Sequence, residues 1–210
     1  MKMTLKTLAA AAAFVAAGVA NAGTITLPAG GSVSDSNFDF SGLSGSGTLT
    51  FSSTLIGALN AGGVQVAQVD PAIVTTTTTT PTSSKYKTVT AAAPVTSLNA
   101  SFNGTSLAVN TVGTAGGALQ TAVDDGFTTT GGSLAITNLK VDLNAKKVFA
   151  TLVGANGVGT INNLDLWDIA TVSGATSFTV PAGGGVLTST NTLSGLKINA
   201  NAFSLFSQAL

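Results

Sequence analysis

Residues 133–154 read SLAITNLKVDLNAKKVFATLVG, and this stretch decides the fold. Leu134 and Ile136 alternate with Ala135 and Thr137; Leu139, Val141 and Leu143 then line one face while Lys140 and Asp142 take the other. A period of two belongs to a strand with one buried face. Asn144-Ala145 marks a tight turn, and Val148, Ala150 and Leu152 answer the apolar face on the way back. The stretch therefore predicts a β-hairpin with Asp142 across from Lys147.

Working outward, similar short strands are punctuated by Gly, Asn and Pro. Thr24 to Leu27 alternates and stops at Pro28-Ala29-Gly30-Gly31, and Thr48 to Phe51 alternates again. Val64 to Val69 follows and is ended by Asp70-Pro71. Further strands are expected at Val95 to Phe102, Ser106 to Val109, Thr160 to Ile169, Ala175 to Val180 and Leu196 to Ile198, with a break at Pro181 and Gly183-Gly184-Gly185. Ser53 or Thr54 is placed to cap a short helix carrying Leu55, Ile56 and Leu59, closed by Gly62-Gly63. A second short helix is expected after Gly116-Gly117 with Leu119, Ala122 and Val123. From Asn201 to Leu210, Phe203, Phe206 and Leu210 fall at helical spacing, as in a docking helix. Thr75 to Thr80 is six threonines in a row, and the segment 75–84 suits an exposed strand and a surface loop equally. Many short strands and few helices predict an all-β fold, an antiparallel β-sandwich with one to three short helices, built as one domain over residues 23–210. With one Trp and one Tyr, the chain lacks the aromatic girdles of an outer-membrane barrel.

Residues 1–22 are read apart from that domain. Lys2 and Lys6 form a positive start, Leu8 to Ala17 is an Ala-rich apolar run, and Ala20-Asn21-Ala22 before Gly23 matches a leader-peptidase site. The expectation is a cleaved N-terminal signal helix. The apolar run is too short for a membrane span, which needs about 20 residues, and no later segment of the sequence reaches that length. Localisation is therefore expected to be secreted: extracellular, cell-surface or periplasmic.

The 210 residues include 8 Lys and 8 Asp but no Arg, Glu, His or Cys, against 33 Thr, 20 Ser and 25 Gly. Those missing types exclude disulfides, thiolate or imidazole metal sites, a His-dependent triad and an arginine phosphate clamp. Cleavage after Ala22 leaves 6 Lys and 8 Asp, a net charge of −2. That is too weak a field for a nucleic-acid surface or a polybasic membrane anchor. No cofactor and no enzymatic activity are expected, since general acid-base catalysis seldom proceeds without His or Glu.

Several motifs invite chemistry. Asp35-Ser36-Asn37-Phe38-Asp39 has calcium-loop spacing, but Phe40 stands where a glycine is needed and Ser46 where the bidentate carboxylate belongs, so no metal is expected. Ser84…Lys87 and Ser194…Lys197 match S-x-x-K at the frequency chance supplies, without the companion motifs of that chemistry. Asp124-Asp125 and the pair Asp165 and Asp168 are the clustered carboxylates available to a hydrolase. Trp167 stands out as the lone Trp. On a regular strand it shares a face with Asp165 and Ile169, opposite Leu164 and Leu166, an arrangement that stacks on a sugar ring between polar anchors. Trp167, Asp165 and Asp168, with Tyr86 as a second amphipathic aromatic, are thus the candidate ligand-binding residues for a polysaccharide.

The leader, followed by a Gly/Ala/Thr/Asn-rich β domain with Leu139-Lys140-Val141-Asp142-Leu143 and Lys147-Val148-Phe149-Ala150-Thr151-Leu152, resembles exported surface proteins of Gram-negative bacteria in the exosortase-associated PEP-CTERM class. The sorting signature of that class, with its Pro-Glu-Pro and Arg cluster, is not in this sequence. The resemblance implies a surface or biofilm-matrix location and no catalytic residues. Two functions are expected to compete: a structural or adhesive protein that packs against copies of itself, and a glycan-binding β-sandwich module centred on Trp167. Thr-rich strands with few charged gatekeepers favour the first.

Overall fold

The computed structural model describes residues 2–16, 23–35, 38–124, 126 and 130–210. In chain order the elements are β1 (Lys2–Ala16), β2 (Gly23–Pro28), β3 (Ser32–Asp35), β4 (Phe38–Thr50), α1 (Ser53–Ala61), β5 (Gln65–Val69), β6 (Ile73–Thr78), β7 (Tyr86–Phe102), β8 (Ser106–Thr114), β9 (Gly117–Asp124), β10 (Thr130–Asp142), β11 (Lys147–Gly154), β12 (Gly159–Asp168), β13 (Thr171–Ser173), β14 (Ser177–Thr179), β15 (Gly185–Ile198) and α2 (Ala200–Ala209). The architecture is all-β with two short helices, and every strand pairing is antiparallel.

The main path runs β14-β8-β7-β4-β1-β15-β12-β11-β10-β9-β5. β8 also pairs with β10 through Lys140↔Gly113, Val141↔Val112 and Asp142↔Thr111. The sheet therefore curls back on itself, and its two halves face each other across a common core, as in a sandwich. One continuous cluster fills that space, from Phe40 and Phe102 at the β4–β7 side to Leu152, Leu166 and Trp167 at the β11–β12 side. Phe102 meets Phe38 and Phe40 edge to face, 5.0 Å and 5.3 Å between centroids, while Phe38 and Phe40 stack on each other at 6.3 Å.

The hairpin at 133–154 forms as read. Val141 pairs with Val148 and Asp142 with Lys147, around the turn centred on Asn144 and Ala145. Asp142 accepts the Ala145 N–H at 2.8 Å and so caps the turn. On the outer face, Lys140 lies over the Phe149 ring, 4.9 Å from its centroid.

The first helix matches its expectation, with Ser52 as the cap: its side chain accepts the Leu55 N–H. The tail helix α2 is capped by Asn199, whose side chain accepts the Ala202 N–H. Its buried face runs through Ala202 and Ala209 with Phe206 packed alongside, while Phe203 is 54% exposed, so the docking stripe is rotated from the one expected.

One expectation gives way, and one that stood open is resolved. Leu119, Ala122 and Val123 belong to strand β9, because Gly117 lies against the Ile136 carbonyl too closely for any side chain and seats the segment between β10 and β5. The threonine run divides: Thr75 to Thr78 lie in β6, paired with β7, and Thr79 and Thr80 enter a turn. Thr77 and Thr88 hydroxyls meet across that pair at 2.6 Å. The backbone of Lys2–Ala16 is extended between β4 and β15, with Ala9 opposite Thr190 on one side and Ser46 on the other, and Phe14 opposite Gly185 and Phe40. Ala20 and Ala22 lie outside the described residues; Gly23 opens β2, opposite Phe102. Among the described residues no helix is long and apolar enough to cross a membrane.

Candidate functional site

The expected ligand face on β12 is rearranged by an irregularity in its ladder. Val148 pairs with Trp167 but Phe149 with Asp165, so Leu166 is an extra residue bulged into β12. The bulge breaks the period of two: Leu164, Leu166 and Trp167 are all buried, and Asp165 and Asp168 stay at the surface. Trp167 is 1% exposed. A ring sealed inside a core offers no plate to a sugar held in solvent, so the stacking surface expected of Trp167 with Asp165 is not formed.

Trp167 instead borders a narrow apolar cleft between the sheet halves, with Leu49, Phe51, Leu139 and Phe206 among its walls. Its Nε1–H has no hydrogen-bond partner among the described residues. Two buried polar side chains, Gln120 and Thr114, also reach this cleft, and Thr114 donates to the Leu139 carbonyl at 3.3 Å.

Asp165 and Asp168 are drawn together by a residue the sequence reading paired elsewhere. Lys147, on the neighbouring strand β11, hydrogen-bonds Asp165 and lies 3.2 Å from Asp168. These bonds, the one to Asp165 foremost and then the one to Asp168, raise the Lys147 ammonium above the ordinary lysine value of 10.5. The ammonium occupies the space between the carboxylates that an attacking water or a glycosidic oxygen would need. The trio is a clamp holding β12 to β11 from both sides of the bulge.

Tyr86, the other candidate, is buried at the start of β7. Its hydroxyl accepts the Val66 N–H at 2.9 Å and donates to Gln65 at 3.4 Å, while Asn60 brackets its backbone on both sides. It ties α1 and β5 to β7, and the structure does not bring it to the Trp167 cluster.

The remaining motifs also resolve into local structure. Asp35 and Asp39 lie on the two strands of the β3–β4 hairpin, where Ser34 donates to Asp39 and Phe38 turns into the core. Ser36 and Asn37, between them, lie outside the described residues, and among those described no cluster of metal-ligating side chains forms. Asp124 accepts the Gly126 N–H in a turn, and Asp125 lies outside the described residues. Ser194 and Lys197 sit together on strand β15.

What stands out is the strand edges. Among the described residues β6 pairs along one side only, with β7, and its sequence Ile73-Val74-Thr75-Thr76-Thr77-Thr78 carries neither charge nor proline. Ile73 is 63% exposed. β4 and β15, interior strands of 13 and 14 residues on either side of β1, carry one charge each, Asp39 and Lys197. No family model matches this chain, and no curated protein or solved structure matches it.

Proposed function

We propose that the chain is an exported cell-surface or extracellular-matrix protein with a structural or adhesive role, which acts by associating with copies of itself and carries out no catalysis. The observation that carries this reading is the character of its strand edges. β6 presents a flat, uncharged threonine ladder with none of the lysine, proline or inward charge that ordinarily blocks edge-to-edge pairing. Surface polarity here comes from Thr, Ser and Asn, which hydrogen-bond to a partner strand as readily as to water and cost little to desolvate when paired. The leader at residues 1–22 supports export, and the weak net charge of the mature chain supports close approach of like molecules.

The test is light scattering behind size-exclusion chromatography on the chain beginning at Gly23, over a wide concentration range. Mass that climbs with concentration is the expected result. A mass that stays at the monomer throughout would overturn the self-associating role.

A further inference from the structure

We infer that the cleft beside Trp167 is a binding site for a small uncharged amide with a short aliphatic tail, held by the side chain of Gln120. The site lies in the interior of the molecule and is independent of the self-association proposed above, which involves its edges.

Gln120 is the residue that points to a ligand. The core-facing positions of β9 are Ala118, Gln120 and Ala122, and Gln120 is 5% exposed. Its ladder neighbours are Leu134 on β10 and Val66 on β5, so a leucine or methionine would fill the place and leave no polar group to satisfy. The glutamine instead sets two N–H donors and a carbonyl in an apolar interior. Its side chain hydrogen-bonds to none of the described residues and stands open to the cleft. A buried amide without partners is costly, and native interiors pair nearly all such groups.

The cleft is made by small residues. Gly47 of β4, Ala91 and Ala93 of β7 and Ala118 of β9 line it, and their missing bulk leaves a cavity of about 50 Å3. One water needs roughly 10–15 Å3 of such space, so the cavity takes a chain of about four heavy atoms. Among the described residues no charged side chain lines it. Besides Gln120, the polar side chains that reach it are Trp167, whose Nε1–H has no partner among the described residues, and Thr114. The Thr114 hydroxyl gives its hydrogen to the Leu139 carbonyl and keeps lone pairs to accept.

An amide is the neutral group that answers a glutamine on both counts. Its carbonyl accepts from the Gln120 N–H while its own N–H donates to the Gln120 carbonyl. An alcohol has a single hydrogen to give, and a carboxylate only accepts and would bury a charge where no cation meets it. Apolar walls for the tail and a few polar groups that fix the head are the usual composition of a small-molecule site.

Trp167 is the one tryptophan of the chain, so its fluorescence reports on the cleft. Acetamide, propanamide and butanamide titrated into the full chain should change the emission saturably, with affinity rising about fourfold for each methylene buried. Butanoate, of the same length but charged, should bind about tenfold more weakly than butanamide or worse. Gln120→Leu keeps the bulk and removes the amide; it should weaken butanamide about tenfold without lowering the denaturation midpoint, because no hydrogen bond within the protein is lost. Ala91→Leu should fill the cavity and abolish the response to every member of the series. An emission that answers no amide, or a butanamide affinity that Gln120→Leu leaves unchanged, would overturn the site and leave the Gln120 amide to water alone.

Discussion

The two sides of the sheet are built from different materials. On the β10–β11–β12 side, large apolar residues alternate with charged or polar ones, and a bulge packs Leu164, Leu166 and Trp167 into the core while Lys147 grips Asp165 and Asp168 outside. On the β4–β15 side the strands are Gly, Ser and Thr for long stretches, as in Ser44-Gly45-Ser46-Gly47 and Thr188-Ser189-Thr190. A register slip on the first side would turn leucines to water and strand a charge. On the second, much of the strand reads alike from either face, so pairing is weakly fixed from within and open to a partner from outside. The two sides of one sheet thus differ in how firmly their register is fixed from within.

The comparison breaks most sharply at Trp167. Trp167→Ala should cost about 3–5 kcal/mol of unfolding free energy, measured by denaturant titration, because it empties the side of the core that fixes the register. It should leave association per folded molecule unchanged; a variant that unfolds no more easily would show that the core's weight lies elsewhere. Next in size is Asn199→Ala, which removes the cap of α2 and should cost about 1 kcal/mol in the same titration. At the exposed start of β6, the edge strand paired to β7, Ile73→Ala should change stability by less than about 0.5 kcal/mol. A large loss there would mean that this edge is packed within the molecule.

The smallest effect concerns the surface clamp. Because the folded state raises the Lys147 pKa above 10.5, its contribution is present in full below the ordinary lysine range and fades as pH rises through the raised value. Chemical denaturation from neutral pH to about pH 12 should show Lys147→Met losing less stability at the alkaline end than the parent chain. Equal alkaline losses in the two would remove the clamp from the account.

The hairpin at 133–154 was legible because its pattern is local: Asp142 faces Lys147 as the alternation requires. The ion pair was not. Lys147 bonds across to β12, some twenty residues on, and only the sheet order brings Asp165 and Asp168 to it. The buried Trp167 was misplaced for a related reason, since a bulge at Leu166 leaves no mark in composition, yet shifts every later residue to the other face. Leu119, Ala122 and Val123 fit a helix and a strand equally well by spacing, and the deciding fact, Gly117 against the Ile136 carbonyl, is a tertiary contact.

Light scattering behind size-exclusion chromatography on the chain beginning at Gly23, over a wide concentration range, tests the account most directly. The expected result is a mass that climbs with concentration. A mass fixed at the monomer throughout would contradict it.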